Sequence, residues 1–206
     1  ERLRPHLVGL TRAIRLEEED LDRIVALVLA GKLPLSDLQG LSNGRALDAI
    51  KSAKVSAISE QLSNLGVEGT WIALGVLFMY THGSPEKWET CRPTYRRLLM
   101  NSNMLLAKGS KQSLDTHGYE VVAEKLLQQN DPELASHLAD EIVTVFEAEK
   151  ERFDLDHVLV HIIDHLFTDY MEIAWPKFAE VLARERDIAA FHLSHLLGSR
   201  FGMGSE

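Results

Sequence analysis

Apolar residues recur three and four positions apart along almost the whole chain, and this spacing is the strongest constraint on its fold. Residues 119–127 show it clearly, with apolar side chains at the first, fourth, fifth, eighth and ninth positions. Such spacing places apolar side chains on one face of an α-helix, whereas a half-buried strand would show strict alternation. Clean alternation between turn residues does not occur in this chain. The sequence therefore predicts an all-α fold.

Glycine and proline divide the pattern into helices joined by short turns. Gly66 is predicted to end a long helix that includes Leu47, and Pro176 to mark the start of a late helix. Residues 71–80 are apolar on every side, which indicates a helix buried on several sides. They are too few to span a bilayer, which takes about 20 residues, so no membrane contact is expected. Helices with such short connections pack antiparallel to their neighbours.

Length and charge narrow the class of protein further. The 206 residues suffice for one domain, and no linker rich in Pro, Gly or Ser divides residues 1–206. The net charge of −9 argues against a non-specific nucleic-acid binder, because such proteins neutralise phosphates with Lys and Arg. A single cysteine, Cys91, excludes an intramolecular disulfide, so we expect a reducing, cytoplasmic setting. Because the first residue is Glu1, we expect a segment of a larger protein.

Residues 125–142 form the most distinctive helical hairpin. Asn130-Asp131-Pro132 makes the turn, and Leu134 is followed by the small residues Ala135 and Ala139. This segment resembles the helix-turn-helix unit of HEAT and armadillo-type repeats, although Ala135 stands where that family often has arginine. The resemblance implies stacked hairpins in an α-solenoid with a concave protein-binding surface, and an irregular helical bundle is the alternative.

Gly40-Leu-Ser-Asn-Gly44 matches the GxSxG motif that exposes a nucleophilic serine in some hydrolases. That motif works at a sharp turn between a strand and a helix, and no strand is predicted here. The sequence instead favours Ser42 or Asn43 as the N-cap of the following helix.

Histidines are spaced four residues apart near residue 160, which aligns them along one helix face. Imidazoles at this spacing can share a metal ion with a carboxylate as a further ligand. The candidate metal ligands are His157, His161, Asp164 and His165. The alternative is a solvated helix face on which Asp and His pair locally. His137 and Glu141 form an HxxxE pair that, together with His157 and His161 as HxxxH, resembles a hemerythrin-like di-iron bundle, but the later HxxxxD segment of that family is absent.

Positive residues cluster between positions 87 and 111 of this acidic chain. Arginine beside exposed aromatic residues is typical of protein–protein contacts and of nucleic-acid contacts. The candidate partner-binding residues are Lys87, Trp88, Arg92, Tyr95, Arg96, Arg97, Lys108 and Lys111. The alternative is an ordinary solvated helix face with Trp88 and Tyr95 packed in the core.

The sequence therefore predicts a non-enzymatic helical-repeat domain that binds another protein or other domains of the same chain. Separate acidic and basic regions also allow self-association of this domain. No cofactor is predicted, because phosphate-binding and dinucleotide-binding glycine patterns are absent. Two alternatives remain open: a helical metal-binding enzyme or sensor, and nucleic-acid contact through the basic cluster.

Overall fold

The computed structural model describes residues 15–42, 46–101, 104–107, 116–148 and 157–184. Within these ranges the regular structure is helical and contains no β-strand, which confirms the predicted all-α class. No helix in the described part of the chain combines the length and the apolarity needed to cross a membrane.

The structure describes ten helical segments in the ranges given above. Their bounds are α1 Glu18–Leu29, a 3-10 helix Leu35–Ser42, α2 Ser52–Ser63, α3 Val67–Thr81, α4 Pro85–Met100, α5 Met104–Ala107, α6 Thr116–Leu127, α7 Pro132–Ala148, α8 His157–Asp169 and α9 Met171–Arg184.

Helix α3 lies at the centre of the core. It packs against the 3-10 helix, α2, α4, α5 and α6. Trp71, Leu74 and Leu77 are buried along it. The indole N–H of Trp71 donates to the Met104 carbonyl at 3.2 Å, and its ring lies 5.3 Å from that of Tyr119. The prediction that residues 71–80 are buried on several sides is confirmed, and the apolar composition of this helix follows from that position.

The junction of α2 and α3 needs glycine at two positions for different reasons. Gly66 has a φ of 90°, in the left-handed region that residues with a Cβ avoid. Gly69, in the first turn of α3, approaches α2 so closely that a Cβ there would lie 2.1 Å from the Leu62 carbonyl oxygen. These glycines allow α3 to start directly against the end of α2.

The C-terminal part of the described chain contains two neighbouring hairpins. Helix α6 packs against α8 and α7 packs against α9, so the α6–α7 hairpin lies beside α8–α9. Tyr170 joins them from the α8–α9 turn. Its hydroxyl donates to the Leu127 carbonyl at 2.5 Å and accepts from the Asp131 N–H at 2.9 Å.

The predicted start of the helix before Gly66 is wrong. Helix α2 begins at Ser52 with Lys51 as its N-cap, and Leu47 is buried in the irregular turn ahead of it. Tertiary packing thus buries Leu47 without placing it on the helix.

The predicted N-cap of this helix is also wrong. Ser42 ends the 3-10 helix, and Asn43 lies outside the described residues. Neither position adjoins α2, whose N-cap is Lys51.

The role predicted for Pro176 is wrong as well. This proline lies inside α9, which begins at Met171. The Tyr170 carbonyl already accepts the N–H groups of Ile173 and Ala174 at 2.9 Å, so the helix is established before the proline is reached. An internal proline removes one helical hydrogen bond, and the packing of α9 on α7 and α8 supplies contacts that offset the loss.

Candidate interaction surface

Helix α4 carries most of the residues predicted to bind a partner. Its start is set locally, because the Ser84 hydroxyl accepts from the Lys87 N–H at 3.4 Å and Pro85 occupies the first turn. The spacing of the basic residues along α4 then places their side chains on two different sides of the helix. Of the predicted partner-binding residues, Lys108 and Lys111 lie outside the described part of the chain.

Lys87 and Arg97 form the side of α4 that faces α2 and the turn before it. Lys87 Nζ lies 3.8 Å from the Asp48 carboxylate and 4.2 Å from the centre of the Tyr80 ring. Arg97 Nη1 lies 2.6 Å from Glu60 Oε1 on α2. These two cations are therefore paired within the chain.

Arg92 and Arg96 form the other side of α4, which faces the α6–α7 turn. Arg96 Nε donates to Asp131 Oδ2 at 2.5 Å, and its Nη2 donates to Glu133 Oε2 at 2.6 Å. The Arg96 guanidinium lowers the pKa of Asp131, whose Oδ1 also accepts from the Leu134 N–H at 3.0 Å and so caps α7. Arg96 thus holds α4 against the start of α7.

Arg92 makes weaker contacts than Arg96. Its Nη1 lies 2.9 Å from Glu89 on the same helix and donates to Gln129 Oε1 at 3.0 Å. The side chains of Arg92 and Glu89 are 44% and 56% exposed, and an ion pair this exposed contributes about 0–1 kcal/mol. A carboxylate from a partner could therefore replace Glu89 at little cost.

The two aromatic candidates on α4 lie in the core. Trp88 is 9% exposed and stacks on the fully buried Tyr95 with 4.8 Å between ring centres. The Tyr95 hydroxyl lies 2.7 Å from that of Thr81, and burial raises the pKa of Tyr95. This placement corresponds to the alternative in which both rings pack in the core.

A groove runs between α4 and α6, and we refer to it as the α4–α6 groove. Its wider part has a volume of about 710 Å³ and adjoins a second part of about 530 Å³, with Gln129 bordering both. The wider part is lined by Phe78, Thr81, His82, Gly83, Ser84, Pro85, Trp88, Val121, Lys125, Gln128 and Gln129. The narrower part is lined by Arg92, Pro93, Arg96, Leu126, Gln129, Asn130, Asp131 and Pro132.

Lys125 is a cation of the groove that was not among the predicted partner-binding residues. It lies on α6, with its Nζ over the Trp88 ring at 4.7 Å from the ring centre. Among the described residues it has no carboxylate within salt-bridge distance. Its position beside Trp88 depends on how α6 packs against α4, so no local sequence signal points to it.

The histidine face of α8 meets carboxylates on α6. His161 is 61% exposed, with Nε2 at 3.5 Å from Glu120 Oε1. His165 Nε2 lies 3.3 Å from Glu124 Oε1, while its Nδ1 lies 3.2 Å from Asp169 Oδ2. Because the two ring nitrogens of His165 face different carboxylates, this side chain links α6 and α8.

The described residues include no cluster of ligands that would support metal binding at this face. No group of three or more His, Cys, Asp or Glu side chains in the described part of the chain is arranged to hold a metal ion. Asp164 lies half-buried on α8, and the side chain of His157 lies outside the described atoms. The four candidate ligands therefore share a helix without forming a described coordination site.

Glu141 of the HxxxE pair is buried near the start of α5. Its Oε1 accepts from the Leu105 N–H at 2.9 Å, and Oε2 accepts from the Tyr119 hydroxyl at 3.4 Å. Burial raises the pKa of this carboxyl group above its usual value, even though these hydrogen bonds oppose the shift. His137 Nε2 is buried and has no hydrogen-bond partner among the described groups. The carboxylate thus serves to anchor α5 on α7.

Comparison of the chain with protein-family models, with curated proteins and with solved structures finds no match.

Proposed function

We propose that this chain is a non-enzymatic helical-repeat domain that binds another protein, or another domain of a longer chain, through the α4–α6 groove. The groove itself carries this proposal. It combines an apolar wall with basic and amide side chains on its rim, which is the composition of many protein-binding surfaces. The volume of each of its two parts, about 710 Å³ and about 530 Å³, is within the range of clefts that bind ligands.

The packing of the C-terminal hairpins supports the repeat part of the proposal. Contacts of α6 with α8 and of α7 with α9 are the contacts expected of two stacked helical hairpins. Ala135 and Ala139 are fully buried in α7, as the resemblance to HEAT-type units requires for close packing.

The alternative of nucleic-acid contact has less support. Lys87, Arg96 and Arg97 each lie beside a carboxylate of the same chain, which reduces the positive potential that would attract phosphates. The metal-binding alternative has no described ligand cluster in its favour.

Site-specific photocrosslinking tests the proposed function. A photoreactive phenylalanine analogue at Gln128, on the groove rim, should crosslink in cells to a specific protein. The same analogue at Gln61, which is exposed on α2 and does not line the groove, is the matched control. Equal crosslinking from both positions, or none from Gln128, would contradict the proposal.

A further inference from the structure

We infer that the α4–α6 groove binds an extended acidic peptide segment that carries one large apolar side chain. This inference rests on the proposed function and specifies the chemistry of the partner. It follows from the charge at the groove rim, from the apolar wall, and from which of the basic side chains are already paired.

The residues that line the groove include three cations and one carboxylate, whereas the molecule as a whole has a net charge of −9. Of the cations, Arg96 is neutralised by Asp131 and Glu133, and Arg92 pairs with the exposed Glu89. Lys125 has no carboxylate within salt-bridge distance among the described residues. A cation without an internal partner on an otherwise acidic surface attracts and orients an acidic segment at this position.

Two cations are available to such a segment. Lys125 has no carboxylate partner among the described residues, and Arg92 is held by the exposed Glu89. Both can take a partner carboxylate without breaking a buried contact. Arg96 is different, because its guanidinium is already bound by both Asp131 and Glu133. Lys125 and Arg92 are therefore the residues that recognise the acidic groups.

The wider part of the groove is suited to an apolar side chain. Phe78, Trp88 and Val121 line it together with Pro85, while the Lys125 ammonium lies over the Trp88 ring. A partner side chain such as Phe or Leu would bury apolar surface here while its neighbouring carboxylates reach Lys125 and Arg92. Gln129 lines both parts of the groove, so a peptide that extends from one part to the other would pass its amide side chain.

An acidic peptide fits these observations better than a single-stranded nucleic acid does. Base stacking needs exposed aromatic faces, whereas Trp88 is stacked on Tyr95 beneath the surface. Phosphate binding needs several free cations along a track, and the groove offers the two named above.

Fluorescence polarisation with defined probes tests the inference. The first probe is a short labelled peptide of Asp and Glu with one central Phe, and a second has Gly in place of Phe. We expect the Phe peptide to bind more tightly than the Gly peptide, and its affinity to fall as salt rises. The Lys125→Glu variant should weaken binding of the Phe peptide by about tenfold or more.

Two further variants separate the groove from general charge effects. Lys32→Glu makes the same change of charge at an exposed position outside the groove and should leave binding unchanged. Val121→Trp fills the apolar part with a neutral side chain and should weaken binding of the Phe peptide more than of the Gly peptide. Circular dichroism and thermal unfolding establish that each variant is folded before binding is measured.

Each remaining outcome would overturn the inference. Equal loss in Lys125→Glu and Lys32→Glu would show non-specific electrostatics. Tight binding of labelled oligothymidylate without binding of the acidic peptide would make the groove a nucleic-acid site. Failure of both peptides, alongside specific crosslinking from Gln128, would reject the acidic chemistry while keeping the proposed protein interaction.

Discussion

At the scale of single residues, Glu141 is the one Asp, Glu, Lys or Arg that is buried in the described part of the chain. A carboxyl group is seldom buried, and here the Leu105 N–H and the Tyr119 hydroxyl donate hydrogen bonds to it, while the Met104 N–H and the nearby His137 also favour its charged form. Burial raises its pKa in the folded protein, so the folded state binds this proton more tightly than the unfolded chain does.

The pH dependence of stability should therefore change in Glu141→Gln. For a carboxyl group with a raised folded pKa, the stabilising effect of protonation is fully present below the unfolded pKa of about 4.3 and is lost as pH rises through the folded pKa. Glutamine keeps an acceptor for Leu105 and does not titrate. Urea unfolding at a series of pH values should show wild type losing stability relative to Glu141→Gln as pH rises through this window.

A second variant at the same position separates titration from hydrogen bonding. Glu141→Leu leaves the buried Leu105 N–H without its acceptor, which should cost about 1–3 kcal/mol at every pH. If the difference between wild type and Glu141→Gln were independent of pH, the assignment of a raised pKa to Glu141 would be wrong.

At the scale of helices, the meeting of α2 and α3 depends on the missing side chain of Gly69. A Cβ at that position would collide with the Leu62 carbonyl, which is backbone and cannot turn aside. By contrast, a Cβ at Gly75 in the same helix would meet no atom within 4 Å beyond its chain neighbours and the adjacent backbone of α3.

Alanine substitution at the two glycines of α3 should change the stability of the protein in opposite directions. Gly69→Ala is expected to destabilise the protein by about 1–3 kcal/mol, because the helices must separate to admit the methyl group. Gly75→Ala is expected to stabilise it by about 0.4–1 kcal/mol, because alanine reduces the conformational entropy of the unfolded chain. Chemical denaturation of both variants measures this contrast, and destabilisation of similar size in both would refute it.

At the scale of the whole molecule, one hydroxyl group joins the α8–α9 turn to the α6–α7 turn. Tyr170 contacts both the last turn of α6 and the residue before α7, at 2.5 Å from the Leu127 carbonyl oxygen and 2.9 Å from the Asp131 nitrogen. The same turn is held from the other side by Arg96 on α4. The α6–α7 turn is therefore where three parts of the molecule meet.

Tyr170→Phe should loosen this junction while leaving the helices formed. The variant removes the partner of a backbone N–H and of a carbonyl, which should cost about 1–3 kcal/mol. Hydrogen exchange should then accelerate at the Asp131 amide more than at amides within α3. Unchanged exchange at Asp131 would show that the Tyr170 hydroxyl does not hold the turn.

The helical class and the α6–α7 turn could be predicted from the sequence, because both depend on interactions between residues a few positions apart. The apolar spacing of residues 119–127 and the turn at Asn130–Pro132 each correspond to an observed helix or turn. Prediction failed where packing overrides local preference, at Leu47 ahead of α2 and at Pro176 inside α9.

The sequence by itself determined that the chain forms amphipathic helices and that basic residues concentrate in α4. Only the tertiary structure decided where those residues point. Packing places Lys87 and Arg97 toward α2, buries Trp88 and Tyr95, and brings Lys125 from α6 to the groove. The physical reason is that helical periodicity is encoded within a few residues, whereas a surface is made by side chains far apart in the chain and depends on how whole helices pack.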